Sequence, residues 1–269
     1  MDLGLKNKVV LITGASGGIS QATAQMFSEE GAKVALCFHA NKKGAEKLAG
    51  KLPGEYILIE CDVSNEADME KVFGNVVKKF GKVDIVIANA GIAMPKEAPI
   101  YEMESARFDE VISKNLKGAW LTAKEFFKVL KQTRPESASL IFVSSTSGIF
   151  GEEGHSEYSA SKAALIGLTK TLKNELVRIV PTGRVNAVAP GWILTPMTEQ
   201  FISDKEAVLE ALQTKALRRI GRPNEIASVI VALASDKIFS HVTGQIIAID
   251  GGMDGRIIWT PDDIDLDKA

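Results

Sequence analysis

The chain has 269 residues, 45% of them hydrophobic, a formal net charge of −2 and two cysteines. That length buries a sizeable core without disulfides or a structural metal and fits one large domain over residues 1–269. The near-neutral charge argues against nucleic acid or an anionic membrane as the main partner. No apolar run reaches the ~18 residues that span a bilayer and no signal-peptide segment opens the chain, so a soluble, cytoplasmic protein is expected.

In chain order, short β-branched runs alternate with longer segments of helical period. The predicted strands are residues 9–12, 33–38, 56–60, 83–88, 140–144, 184–189 and 245–250, mostly continuous apolar runs, as in strands covered on both faces. The predicted helices are residues 17–30, 65–80, 105–131, 158–180 and 224–235. Gly31 and Gly81 follow charged last turns, and Ser64-Asn65-Glu66-Ala67 offers a capping side chain. The repeated strand–helix–strand order predicts an α/β fold: a doubly wound parallel sheet of about seven strands in a Rossmann-type three-layer αβα sandwich. Two segments break the rhythm: an insertion at about 195–217, read as a substrate lid, and a polar C-terminal tail at about 253–269. Cys37 and Cys61 lie in strand-like runs and read as buried free thiols.

The first strand runs into Thr13-Gly14-Ala15-Ser16-Gly17-Gly18-Ile19-Ser20 and then a helix. Glycines there let the chain turn sharply and let backbone N–H groups at the helix start approach a pyrophosphate. The second strand ends in Phe38-His39-Ala40-Asn41-Lys42-Lys43, with no acid to hold the ribose 2′-OH of NAD. His39, Lys42 and Lys43 can instead supply donors or charge for a 2′-phosphate, so NADP(H) is favoured over NAD(H); the alternative is a solvated loop that touches nothing. Asp62, after the third strand, could accept from an adenine amino group or cap the following helix.

Tyr158-Ser159-Ala160-Ser161-Lys162 puts a phenol and an ammonium on one helix face. A free phenol has a pKa of about 10, and a neighbouring positive charge favours the phenolate. Taken alone this spacing is a common chance occurrence. Ser145 sharpens it, because it ends the strand at residues 140–144, where open α/β sheets bind ligands. Ser144 and Thr146 compete for that role. Asn115 sits inside a long helical pattern, where the plain alternative is an exposed polar face.

These residues resemble, over nearly the whole chain, the compact single-domain short-chain dehydrogenase/reductases. Residues 13–20 are similar to that family's Thr-Gly-x-x-x-Gly-x-Gly loop, with Ser20 replacing the last glycine. Asn89-Ala90-Gly91, Pro190-Gly191 and Asp250-Gly251-Gly252 match its other landmarks, and Asn115, Ser145, Tyr158 and Lys162 match its catalytic tetrad. The resemblance implies that Tyr158 is the acid–base and that Lys162 holds the nicotinamide ribose and lowers the tyrosine pKa. Ser145 would orient the substrate oxygen, and Asn115 would bind a relay water. The cofactor would meet Gly14, Ser16, Gly17, Gly18, Ile19, His39, Asp62, Val63, Asn89, Ala90, Gly91, Tyr158, Lys162, Pro190, Gly191, Ile193 and Thr195. A homotetramer or homodimer is implied too.

The expected activity is hydride transfer between a nicotinamide cofactor and a carbonyl or secondary alcohol. A ketoacyl compound, a sugar or polyol, and a small ketone all remain open as the small-molecule substrate. Met197, Phe201, Ile202 and Leu209 would give the lid an apolar face, and Glu152, Glu153, His155 and Glu157 a polar approach to Tyr158. The alternatives are a catalytically silent NADP-sensing regulatory protein and a sugar-nucleotide epimerase, which needs a longer substrate domain. His39, His155 and His241 are scattered, so no metal is expected. Lys128, Lys131, Arg134, Lys170, Lys173 and Arg178 read as a solvated face before a docking rim for an acidic acyl-carrier protein.

Overall fold

In the computed structural model, residues 2–199, 205–257 and 260 are described. Strand β1 (Val9–Thr13) shows how the layers arise. Successive strand side chains point to opposite faces, so Val9 and Leu11 enter one buried cluster and Val10 and Ile12 the other. β4 (Ile85–Ala88), β5 (Ser139–Val143) and β6 (Arg184–Pro190) are likewise buried throughout. With β2 (Lys33–Phe38), β3 (Tyr56–Glu60) and β7 (Ile246–Ile249) they form one parallel sheet of order β3-β2-β1-β4-β5-β6-β7. The doubly wound architecture is therefore present, and the order reverses direction between β1 and β4. At such a switch point the loops leaving two neighbouring strands diverge and open a crevice.

One face is covered by α1 (Gly18–Glu29) and a later helix at Pro223–Ala234, through Ala24, Phe27, Ile226 and Ile230. The other is covered by α3 (Glu66–Phe80), α5 (Gly118–Thr133) and α7 (Ser156–Leu176). Leu165, Leu172 and Leu176 are buried there, and Leu168 packs against them, as the leucine spacing predicts. Asn65 caps α3 by accepting from the Asp68 N–H, and Gly81 ends it with φ +81°.

Three helices depart from expectation. α2 (Lys42–Ala49), short and apolar on a narrow stripe, is not among the predicted helices; Asn41 caps it by accepting from Gly44 N–H, so Lys42 and Lys43 open a helix rather than a loop. The predicted helix over 105–131 is broken into α4 (Ser105–Ile112), a π-helical turn at Ser113–Lys117, and α5. The wider turn carries Asn115 inward, and π-turns of this kind recur at functional sites. α7 starts and stops earlier than predicted. Between β5 and α7 lies a short α6 (Ser147–Phe150), and α8 (Lys205–Gln213) precedes α9 (Pro223–Ala234). Cys37 and Cys61 are buried and free. Among the described residues no helix is long and apolar enough to cross a membrane.

Candidate active site

The crevice begins at the carboxyl ends of β1 and β4. Gly14 has φ +70°, and a Cβ on it would stand 2.8 Å from the Ala90 Cα, so the loop after β1 lies directly on the loop after β4. The Thr13 hydroxyl joins them by accepting from Asn89 N–H and Ala90 N–H, both at 3.1 Å. Gly17 is the N-cap of α1 and no side chain caps that helix. Ser16, Gly17, Gly18 and Ile19 thus present an uncapped helix start of 12 residues beside glycines, which fits the phosphates of a dinucleotide. Ser20 is buried and turned to the sheet, where its hydroxyl accepts from Asn89 Nδ2 at 2.7 Å. Its Cβ is thus spent on the β1–β4 junction rather than on the face of the loop.

His39 is exposed at the end of β2, and Lys42 lies 3.9 Å from Glu46. Asp62 does not cap α3, a role Asn65 fills. Its carboxylate accepts from Lys114 at 2.6 Å and from Ser64 Oγ at 2.7 Å. Burial alone would raise its pKa, but these bonds hold it down at about 2. Val63 packs against Gly118, where a Cβ would lie 2.6 Å from its Cγ2. After β6, which ends at Pro190, the chain turns at Gly191 and buries Ile193. Thr195 then stands against the start of α1, with its Cγ2 3.0 Å from where a Gly18 Cβ would be.

The chemistry-bearing residues meet on the far side of Gly91. A Cβ there would lie 3.1 Å from Asn115 Oδ1 and 3.4 Å from Lys162 Nζ. Asn115 pins the β4 loop twice, accepting from Ile92 N–H at 2.7 Å and donating to Ile92 O at 2.9 Å, and it also donates to Ser161 Oγ at 3.1 Å. Its exposed-face alternative is thereby overturned. Ser145 Oγ accepts from Ser147 N–H at 3.1 Å and hydrogen-bonds the Tyr158 phenol. Ser144 is committed elsewhere, donating to Lys162 O at 2.8 Å.

Lys162 Nζ donates to Val143 O at 2.9 Å and lies 5.6 Å from the centre of the Tyr158 ring. Burial pushes its pKa down to about 8. The lowered phenol expected from this neighbour is not what these side chains produce. Burial raises Tyr158 to about 12, the Ser145 hydrogen bond pulls the other way, and the Glu152 charge adds to the rise. The ammonium donates to the Val143 carbonyl, and at the phenol burial outweighs the Ser145 hydrogen bond.

Above Ser145 and Tyr158 is a cavity of about 690 Å³, within the usual range for ligand sites. Met94, Phe150, Trp192, Met197 and Ile257 supply apolar wall, while Glu152, Glu153 and His155 line it as expected. Glu157 does not. It is fully buried and paired with Arg107 at 2.6 Å. Leu209 is also corrected: it is exposed, and Ala207, Glu210, Ala211 and Thr214 face the cavity instead. Phe201 and Ile202 lie outside the described residues, as does most of the predicted tail. In the described part of that tail, 253–257, Met253 is buried, Arg256 reaches the cavity, and Asp254 and Ile257 are exposed. Arg256, Trp192 and Met94 had no signal in the sequence, because no local pattern shows which distant loop faces a site.

Neither basic cluster lines the cavity. Lys128 pairs with Glu70 and Glu125, Lys170 donates to Gly244 O, and Lys173 donates to Asn174.

Residues 14–254 match the family model described as Enoyl-(Acyl carrier protein) reductase. A 3-oxoacyl-[acyl-carrier-protein] reductase FabG of Thermotoga maritima is 41% identical over 253 residues, covering 93% of this chain and 98% of that protein. The 3-oxoacyl-[acyl-carrier-protein] reductase of a Synechocystis species is 34% identical, with coverage of 93% and 98%. Among solved structures, levodione reductase superposes with a TM-score of 0.85 at 33% identity, covering 91% of this chain and 97% of that one. A short-chain dehydrogenase/reductase described as glucose/ribitol dehydrogenase, from Brucella melitensis, has a TM-score of 0.85 at 34% identity, with coverage of 94% and 98%.

Proposed function

The chain belongs to the short-chain dehydrogenase/reductase family, and we propose that within it this enzyme interconverts a ketone and a secondary alcohol with NADP(H), using Tyr158 as acid–base. The observation that carries the reading is that Ser145 and Tyr158, hydrogen-bonded to each other, line the cavity, while Lys162 and Asn115 meet beside Gly91, next to the Ala90 on which the loop after β1 lies. The nicotinamide, when bound, supplies or accepts the hydride and in its oxidised form brings a positive charge. Tyr158 holds the proton that passes to or from the substrate oxygen, and Ser145 donates a hydrogen bond to that oxygen. Lys162, beside Gly91 and Asn115, would bind the nicotinamide ribose, and Asn115 keeps the β4 loop in place against it. Gly14, Ser16, Gly17, Gly18 and Ile19 would hold the pyrophosphate, and Ile193 and Thr195 the carboxamide.

The end of β2 supports NADP(H) over NAD(H), because it carries His39 and Lys43 and no carboxylate that would repel a 2′-phosphate. A ketoacyl compound is supported as substrate class by the names of the relatives, and those names leave the silent-sensor reading without support. Residues 195–217 would act as a lid, a role supported, among the described residues, by Met197, Thr198, Ala207 and Ala211, which line the cavity. Assembly into a homodimer or homotetramer is supported by Phe108 and Trp120, exposed on α4 and α5.

The test is Tyr158→Phe. Loss of the proton donor lowers kcat by about 10²–10⁴-fold, while NADPH affinity, measured by fluorescence titration, stays within a few-fold. Retained turnover would sink the mechanism.

A further inference from the structure

The lining of the cavity over Tyr158 carries mostly one sign of charge. Glu97, Glu152, Glu153 and Glu210 line it, and Arg256 is the cation among its described lining residues. Arg256 is already engaged: its Nε donates to Gly151 O at 3.0 Å, and its Nη2 donates to Ser147 Oγ at 3.3 Å and lies 3.9 Å from Glu152. It therefore offsets Glu152 in part. Glu97, Glu153 and Glu210 are exposed at the mouth and form no ion pair among the described residues. Glu152, half-buried, is near enough to the phenol for its charge to be felt there. A cleft lined by one sign of charge concentrates its potential on whatever enters.

We propose that this potential selects the substrate by charge: the site takes an electrically neutral carbonyl compound or alcohol, a ketoacyl group only in uncharged form, and, unlike the relatives as their names describe them, turns away carboxylates, phosphates and acyl groups still attached to a polyanionic carrier. The proposal rests on the oxidoreductase reading above and narrows it. Met94, Phe150, Trp192 and Ile257 would receive the hydrocarbon part, and among the described lining residues the one Lys or Arg side chain, Arg256, is already engaged. The anionic phosphates of the cofactor would not conflict with this, since the start of α1 that would hold them does not line this cavity.

The experiment compares NADPH-dependent reduction of levulinate and of its methyl ester, a pair that differs in charge at a position remote from the ketone. The neutral ester is expected to exceed the carboxylate by about tenfold or more in kcat/KM at low salt. The gap narrows at high salt, where screening acts within about 3–8 Å. The triple variant Glu97→Gln, Glu153→Gln, Glu210→Gln, all at exposed positions, is expected to bring the pair within about threefold. Equal kcat/KM for the pair in the parent enzyme, or a preference for the carboxylate, overturns the charge selection and leaves the oxidoreductase reading standing. A preference that the triple variant leaves unchanged also overturns it. Failure to reduce any ketone of a wider neutral panel, with NADPH bound, overturns both.

Discussion

At Lys162 burial opposes charge. Its ammonium donates to Val143 O, and its pKa falls from 10.5 to about 8. In the unfolded chain the amine keeps its proton to higher pH, so between these values the unfolded state binds more protons and stability rises with pH. Below pH 8 the full penalty is present, on the order of 3 kcal/mol. Tyr158 acts in the opposite sense and later: with its pKa raised from 10 to about 12, it costs stability as pH climbs above 10, because the unfolded phenol ionises first. Lys162→Met in the cofactor-free protein is therefore expected to gain stability relative to wild type at pH 7, and the difference should shift back toward wild type as pH rises from 8 to 10. Urea denaturation of both proteins across that range checks it; a difference independent of pH would contradict the burial account. The sequence brought Tyr158 and Lys162 to one helix face but could not show which way the ammonium turns, since the Val143 carbonyl comes from strand β5.

At the scale of elements, Arg107 ties α4 to the start of α7. Its guanidinium donates to Glu157 Oε1 at 2.8 and 2.6 Å, to Lys96 O at 2.6 Å and to Gly154 O at 3.2 Å. Two loops bordering the cavity are thereby fastened to the helix turn that carries Tyr158. Glu157 is 0% exposed, so removing its partner strands a buried carboxylate. Arg107→Met is expected to cost about 3–5 kcal/mol. Arg107→Met with Glu157→Met should recover most of that loss, because no buried charge is left. Thermal melts of the single and double variants measure it, and a double variant no more stable than the single would show that the ion pair was not the cause. Glu157 reads in the sequence as one more polar group near Tyr158, since its partner lies 50 residues away.

Across the whole molecule, the segment after β7 is fastened to residues 214–217, the end of the proposed lid. Ala216 N–H donates to Gly252 O at 3.0 Å, Leu217 N–H to Gly251 O at 2.8 Å, and Asp254 N–H to Thr214 O at 3.1 Å. Arg256 then reaches across to Gly151, between Ser145 and Tyr158. Ending the chain at Asp250 removes these acceptors while leaving the sheet intact. Hydrogen exchange should then quicken at Ala216 and Leu217 but not in β1, β4 or β5. Unchanged protection at those two amides would show that the strap does not hold this segment.

The sequence by itself determined the sheet, its helices and the residue types at the crevice, because strand and helix periods, glycines at turns and a hydroxyl at a strand end are local properties. It put seven strands within a few residues of their observed places, and Ser145, Tyr158, Lys162 and Asn115 in one candidate site. Only the tertiary structure decided the break of the 105–131 helix at Asn115, whose partner Ile92 belongs to another loop. Tertiary contacts likewise turned Ser20 toward Asn89, buried Glu157 on Arg107, and brought Arg256 to a cavity whose other walls lie far away in the chain. Each of these depends on a contact between distant segments, and the energy of burying or pairing a polar group is settled by that contact rather than by the residue's neighbours in sequence.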